Sequence, residues 1–190
     1  MCRLKIEKKF IEIVVFIAQS KNHFKMKSIF LLSFLFQFSI ATALAQNEHD
    51  AHIKSVEARS KLWNTSYNSR DSLSFFSLFD SSAIVVSLGG KWIGLDKCKY
   101  LCRSLYAKRP DINWYIKSTK IEVNDQWPAA YETGEWSESW TETGDSTRSE
   151  IKGKYWIMWF LKSDTYYILS ATFTPLSCKG SYCDKSAKRN

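Results

Sequence analysis

Apolar positions recur at helical spacing at Ile53, Val56, Trp63 and Tyr67, with Ser60 in the same stripe, and predict an amphipathic helix over residues 50–69. Asp71 is placed to cap a second, shorter helix whose apolar stripe is Phe75, Phe76 and Phe79, and the polar run Asp80-Ser81-Ser82 breaks it. The β-branched segment 83–88 reads as a strand. Gly89-Gly90 suits a two-residue turn needing positive φ, and residues 91–93 form the return strand. A third helix follows, with Asp96 as its cap, Cys98, Leu101, Cys102 and Leu105 on its buried face, and Pro110 ending it.

From there the spacing becomes strand-like. Ile112, Trp114 and Ile116 alternate in one phase and Ile121 and Val123 in the other, so a bulge or bend is expected near residues 117–120. Asn124-Asp125 is a turn, residues 129–136 are the next strand with a kink at Gly134, and a polar loop covers 141–149. Residues 151–161 and 166–174 are the last two strands, and Pro175 stops the second. Helices gathered first and strands last predict an α+β fold with helices on one face of a curved, mostly antiparallel sheet. Residues 155–160 (YWIMWF) are apolar on both parities. One face meets the helices, and the other, with Trp156, Met158 and Phe160, requires a cover, for which a homodimer partner is the expectation.

The front of the chain changes the charge picture. Residues 29–40 are an apolar run preceded by Lys25 and Lys27 and followed by Ala43-Leu44-Ala45. That is the pattern of a signal peptide cut between Ala45 and Gln46, so export to a periplasm or the medium is expected. The run is too short for the ~20 residues a stable membrane anchor needs. Residues 1–25 read as an early-assigned start ahead of Met26 or an extended leader, residues 26–45 as the signal peptide, 46–176 as the folded domain and 177–190 as a tail. The whole chain carries +8, but residues 1–45 hold 7 Lys/Arg and 2 Asp/Glu, leaving 20 against 17 and a net +3 for 46–190. A nucleic-acid binder should show a basic stripe. The basic cluster here is the tail Lys185, Lys188 and Arg189, so no nucleic-acid partner is expected.

Four cysteines lie beyond Cys2. Cys98 and Cys102 stand four apart on a helix, where Cβ atoms lie ~5–6 Å apart, too far for a disulfide. Cys178 and Cys183 flank a four-residue loop that can close, and are expected to be bonded, with the helical pair reduced. No His or third Cys stands at ligand spacing beside either pair, so neither a metal nor a cofactor is expected.

The order of elements, with residues 70–86 (RDSLSFFSLFDSSAIVV), 130–136 (AYETGEW), 153–160 (GKYWIMWF) and 166–176 (YYILSATFTPL), resembles the nuclear-transport-factor-2-like superfamily, and within it the SnoaL-like group called domain of unknown function 4440. The resemblance covers most of residues 46–190. It implies a cone-shaped, cystatin-like fold in which three helices close over a strongly bent sheet and leave an apolar cavity. Its members include steroid isomerases, polyketide cyclases, dehydratases and modules without catalysis, so the fold licenses a pocket and no particular reaction.

Set against the steroid-isomerase pattern, the resemblance puts the base position on Ser87 and the first-helix tyrosine position on Trp63, and residues 151–161 contain no Asp or Glu. That mechanism needs a carboxylate base and two acid donors, and none of the three is in place. His49 and His52, near the start of the folded domain, suit solvated roles. Asn64-Thr65-Ser66 matches a glycosylation sequon but lies mid-helix. Glu132 and Glu135 are the carboxyl candidates for acid–base work, and strand alternation sends at most one of them into the cavity. The aromatics are the richer signal. Trp63, Tyr67, Trp114, Tyr155 and Trp159, with Ser87, are the expected ligand-binding set, because Trp and Tyr offer a broad apolar face and one hydrogen-bonding tip. The expectation is a module that binds a small apolar or aromatic molecule. The alternatives are an isomerase, dehydratase or cyclase using a non-standard carboxylate, and a purely structural dimerisation domain.

Overall fold

The computed structural model describes residues 25–187 except 125, 143, 145 and 146, with side chains from Gln46 to Asp184. The chain divides into two compact units, Met1–Glu48 and His49–Asn190. Cys2 and the tail residues Lys188 and Arg189 lie outside the described residues, as does the side chain of Lys185. Helix α1 spans Lys25–Asn68. Among the described residues, no helix is long and apolar enough to cross a membrane.

In the second unit, Val56, Ser60, Trp63 and Tyr67 of α1 are all buried, as their spacing requires. Arg70 follows at φ 65°, the left-handed turn that ends the helix, and its guanidinium donates to the carbonyls of Pro110 and Ile112. Helix α2 (Ser72–Phe76) starts at the Asp71 cap, whose carboxylate accepts from the Ser74 N–H at 3.1 Å. Phe79 does not extend this helix. It opens strand β1 (Phe79–Ser87), and the polar run Asp80-Ser81-Ser82 is part of that strand. Asp80 is held there by Lys162 and by the Ser82 N–H and hydroxyl, which keep its carboxyl down at about 2.

Strand β2 (Gly90–Ile93) pairs antiparallel with β1, Ser87 opposite Gly90. The two turn residues are therefore Leu88 and Gly89, one position earlier than the sequence suggests, and of the two glycines only Gly90 has positive φ (127°). Helix α3 (Leu95–Lys108) is capped by Gly94 rather than Asp96; Asp96 sits in the first turn and faces Lys99. Cys98 and Cys102 are buried in it as free thiols, and burial pushes Cys102 up to about 12, so it stays protonated.

The remaining strands are β3 (Asn113–Val123), β4 (Ala129–Thr141), β5 (Arg148–Lys162) and β6 (Thr165–Lys179), and the six-stranded sheet runs β2-β1-β6-β5-β4-β3. The β1–β6 pair is parallel and every other pair antiparallel, giving a curved mixed sheet. The phase change in β3 is a register shift between Ser118 and Lys120. Strand β4 runs five residues past Trp136, and β6 passes through Pro175 to Lys179. Proline is tolerated there because it lies opposite Gly153 at the register shift of the β5–β6 ladder, and past Thr172, where the pairing with β1 ends. A short helix α4 (Ser181–Ala187) follows, tied back by the Cys178–Cys183 disulfide.

The exposed edge of β3 is closed by α1. Asn64 exchanges two hydrogen bonds with the backbone of Ile116, and Asn68 does the same with Trp114 one turn on, all at 2.8–3.0 Å. This satisfies an edge that otherwise invites pairing with another chain. It also commits the Asn64 amide of the sequon to the fold.

Candidate functional site

Alternation along β4 turns Ala130, Glu132, Gly134, Trp136, Glu138 and Trp140 to the buried face, so two carboxyl groups face inward six residues apart. Glu132 is fully buried. The Ser60 hydroxyl of α1 lies 2.6 Å from both of its oxygens, the Tyr155 hydroxyl donates to Oε1 at 2.7 Å, and the Trp159 indole donates to Oε2 at 2.9 Å. Gly134 makes this arrangement possible. A Cβ there would collide with the Lys117 carbonyl and come within 2.6 Å of the Tyr155 ring, which lies across the glycine to reach Glu132. Burial raises the Tyr155 phenol, and the adjoining Glu132 adds to the shift, so the hydroxyl remains a donor.

Glu138 meets a different environment. It lines a cavity of about 290 Å³ between the β1–β2 hairpin, α3 and the inner face of the sheet. Trp92, Leu101, Leu105, Trp114, Trp136, Ile151 and Phe173 supply the apolar wall, while Ser87, Arg109 and Tyr182 contribute polar atoms. Arg109 donates to Glu138 at 3.2 Å, with Glu142 at 3.8 Å from its Nε. Its guanidinium lies 3.7 Å from the centre of the Trp140 ring and 5.0 Å from that of Tyr182, a cation–π sandwich that fixes the plane of the fork. Burial raises the Glu138 carboxyl above the ordinary carboxylate range, and Arg109 pulls in the other direction.

The expected ligand-binding residues fall into three positions. Ser87 and Trp114 stand in the cavity wall. Trp63 and Tyr67 pack edge-on against Trp114, with ring centres 5.1 and 5.3 Å away, in a cluster completed by Phe75, Phe79 and Phe173. Tyr155 and Trp159 belong to the Glu132 network. Glu135 faces the other way, exposed and paired with Lys154 at 2.8 Å, which holds its carboxyl below the usual range. The His52 ring meets the edge of Tyr166 at 5.8 Å. No group of three or more potential metal ligands occurs among the described residues.

Beyond Ser87 and Trp114 the sequence singles out no member of this wall as a site residue, and three of the polar ones show why. Glu138 shares the parity of Glu132 and was detectable by it, but the strand was ended at Trp136, two residues short. Arg109, next to Pro110 at the end of α3, stands in no motif or spacing that marks it as a site residue. Tyr182 sits on α4, which begins after Pro175, in the stretch that the sequence reads as a tail.

A cavity of this size takes a small ring system, with Arg109 and Glu138 offering one donor fork and one acceptor at its edge. No protein-family model matches the chain, and no curated protein matches it in sequence. Solved structures do match it in three dimensions. A putative scytalone dehydratase from Novosphingobium aromaticivorans superposes with a TM-score of 0.64 at 9% identity, over 72% of this chain and 91% of that one. A hexachlorocyclohexane dehydrochlorinase from Novosphingobium barchaimii gives 0.56 at 13% identity, over 67% and 91%. An uncharacterised protein from Caulobacter vibrioides with a cystatin-like fold gives 0.55 at 10% identity, over 73% and 98%. At such identities the likeness concerns the fold alone: the unit His49–Asn190 has a cystatin-like α+β fold, in agreement with the motif order along the sequence.

Proposed function

We propose that this chain is an exported binding protein that holds one small, largely apolar or aromatic molecule in the cavity beneath the β1–β2 hairpin. The observation that carries the reading is the make-up of that cavity: about 290 Å³ walled by three tryptophans and Phe173, with the Arg109–Glu138 pair on one side. Ligand sites for drug-sized molecules run from ~300 Å³ upward, so the volume favours one or two fused rings over a steroid-sized ligand. Titration calorimetry with naphthalene- and indole-sized probes should give micromolar affinities, accompanied by quenching of tryptophan fluorescence. Absence of binding by every such probe at millimolar concentration would remove the reading.

Export is supported by the Lys25/Lys27 flank, the apolar run and the Ala43-Leu44-Ala45 site, and the Cys178–Cys183 disulfide suits an oxidising compartment. An intact mass beginning at Gln46 in protein recovered from outside the cytoplasm is the expected result. A homodimer is the proposed cover for the outer sheet face. There Trp156, 37% exposed, stacks on Tyr131, and the half-buried Met158 and Phe160 continue the apolar strip. Light scattering at micromolar concentration should report twice the chain mass, and Trp156→Lys should halve it.

A second reading, catalysis by proton transfer, has one observation in its favour. Glu138 is buried, lies in the cavity wall and is raised by its surroundings, as a general base near neutral pH must be. Two structural neighbours, a dehydrochlorinase and a putative dehydratase, fit that alternative loosely. Glu132, with three donors on its carboxyl, and Glu135, outside the cavity, fit it less well. Conversion of a bound carbon acid by the native chain and its loss in Glu138→Gln would decide for the enzyme.

A further inference from the structure

A surface that gathers cations without matching acids carries a field that selects its partners. Helix α3 is such a surface. It holds Lys97, Lys99, Arg103 and Lys108 against Asp96, a net +3. That equals the whole surplus of the 20 basic over 17 acidic residues in 46–190, and leaves 16 of each sign elsewhere in that span. In the sheet the cations are matched, for Lys120, Arg148, Lys152, Lys154 and Lys162 each meet a carboxylate. On α3 only Lys99 does, and its partner is the exposed Asp96 at 3.8 Å. Lys97, Arg103 and Lys108 make no ion pair or side-chain hydrogen bond among the described residues.

The same surface carries hydrocarbon. Helical spacing turns Cys98, Cys102 and Leu105 toward the core and Tyr100 and Arg103 away from it, and Tyr100 is 68% exposed. On one flank, α2 brings Leu73, 87% exposed, into a groove of about 560 Å³. Arg70, Lys99 and Arg103 line that groove too, and no carboxylate does. On the other flank, the β1–β2 turn sets Leu88, 58% exposed, in one wall with Tyr100 and Lys108. A single exposed leucine is common on a protein surface. Here two of them border one cationic helix that has a tyrosine on its crest.

We infer that the outer face of α3, with Leu73 and Leu88 on its two sides, docks the chain on an anionic phospholipid surface. The cations meet the lipid phosphates, where each Lys or Arg within a Debye length gains from the negative surface potential. Leu73, Leu88 and Tyr100 enter the boundary between headgroups and acyl chains, the depth at which the ring and the hydroxyl of a tyrosine are both satisfied. Asp96 opposes the attraction at one end of the helix, and Lys99 offsets it. A nucleic acid matches the charge but offers no hydrocarbon to Leu73 and Leu88, which would stay in water. The inference is independent of what the cavity binds and of what covers the outer sheet face.

The test is co-sedimentation with vesicles of phosphatidylcholine, alone or with about a third of the lipid replaced by phosphatidylglycerol. It uses the chain from Gln46 onward, which holds the whole core cluster and lacks the apolar run 29–40 that would itself enter lipid. Partitioning should be at least about tenfold stronger on the anionic vesicles and should weaken as salt rises. Lys99→Gln with Arg103→Gln should weaken it about twentyfold, and Leu73→Ser roughly fivefold, both at an unchanged thermal midpoint. Lys117→Gln with Lys120→Gln removes the same charge from β3 and should change it less than about threefold. Equal binding to the two kinds of vesicle, or equal losses in the β3 and α3 pairs, would overturn the docking face. Insensitivity to Leu73→Ser would overturn it too, and tight binding of a DNA duplex through the same cations would then assign the face to nucleic acid.

Discussion

Glu132 and Glu138 stand six residues apart on the same face of the same strand, yet one is part of the frame and the other part of a cavity. Glu132 is met by a serine, a tyrosine and a tryptophan drawn from α1 and β5, so its carboxyl cross-links the helix layer to the centre of the sheet. Glu138 lies toward the opposite end of the strand, where α3 and the hairpin leave space, and its partner is a guanidinium clamped between two rings. Residue type does not separate structural from available carboxyl groups here. The number of donors already committed to each one does.

The comparison can be broken first at its rigid end. Glu132→Ala leaves the Ser60, Tyr155 and Trp159 donors buried and unmet and opens a void, and should cost roughly 3–5 kcal/mol of unfolding free energy in a urea titration. A loss under about 1 kcal/mol would show that the network contributes little. Gly134→Ala attacks the same site indirectly. The added methyl meets the Lys117 carbonyl and the Tyr155 ring, and overpacking of this kind should cost roughly 2 kcal/mol. An unchanged midpoint would show that the ring has room to move.

At the cavity end the expected effect is smaller and depends on pH. The folded carboxyl of Glu138 is raised above the ordinary 4.5, chiefly by burial, so the folded chain holds that proton more tightly than the unfolded chain. Its contribution to stability is then full below the unfolded value and is lost as pH rises through the folded one. Unfolding midpoints of the native chain and Glu138→Gln, measured from pH 4 to 7, should diverge as pH rises, with the native chain losing ground relative to the variant. Parallel curves would mean that Arg109 cancels the effect of burial. Smallest of all, Glu135→Ser on the outer face removes an exposed pair with Lys154 and should leave the midpoint where it was. A marked shift there would mean that the outer face is covered in solution.

Much of the framework was legible along the chain. The stripe Val56, Trp63, Tyr67 gives the first helix its buried face, Asp71 caps the second, and the phase slip between Ile116 and Ile121 marks the register shift in β3. These features are local, and period, capping and alternation act within a few residues. Element ends were less legible. Proline cannot donate to a ladder and so marks a stop in the sequence, but Pro175 falls at a register shift opposite Gly153 and beyond the end of the β1 pairing, both of which are set by distant strands. Glu138 was missed for a related reason. The segment Ser137–Thr141 has little strand propensity of its own, and it is β5 residues Arg148–Lys152 across the ladder that hold it extended.

The sequence by itself determined the helical and strand periods, the parity that sends Glu132 inward and Glu135 outward, and the Cys178–Cys183 closure. Those follow from backbone geometry and short loops. Only the tertiary structure decided that Glu132 would be saturated and Glu138 left facing a cavity. Each outcome depends on residues brought from distant segments, such as Ser60 to Glu132 or Arg109 to Glu138. Hydrogen-bond satisfaction belongs to the assembled set of neighbours, which no single stretch of chain encodes.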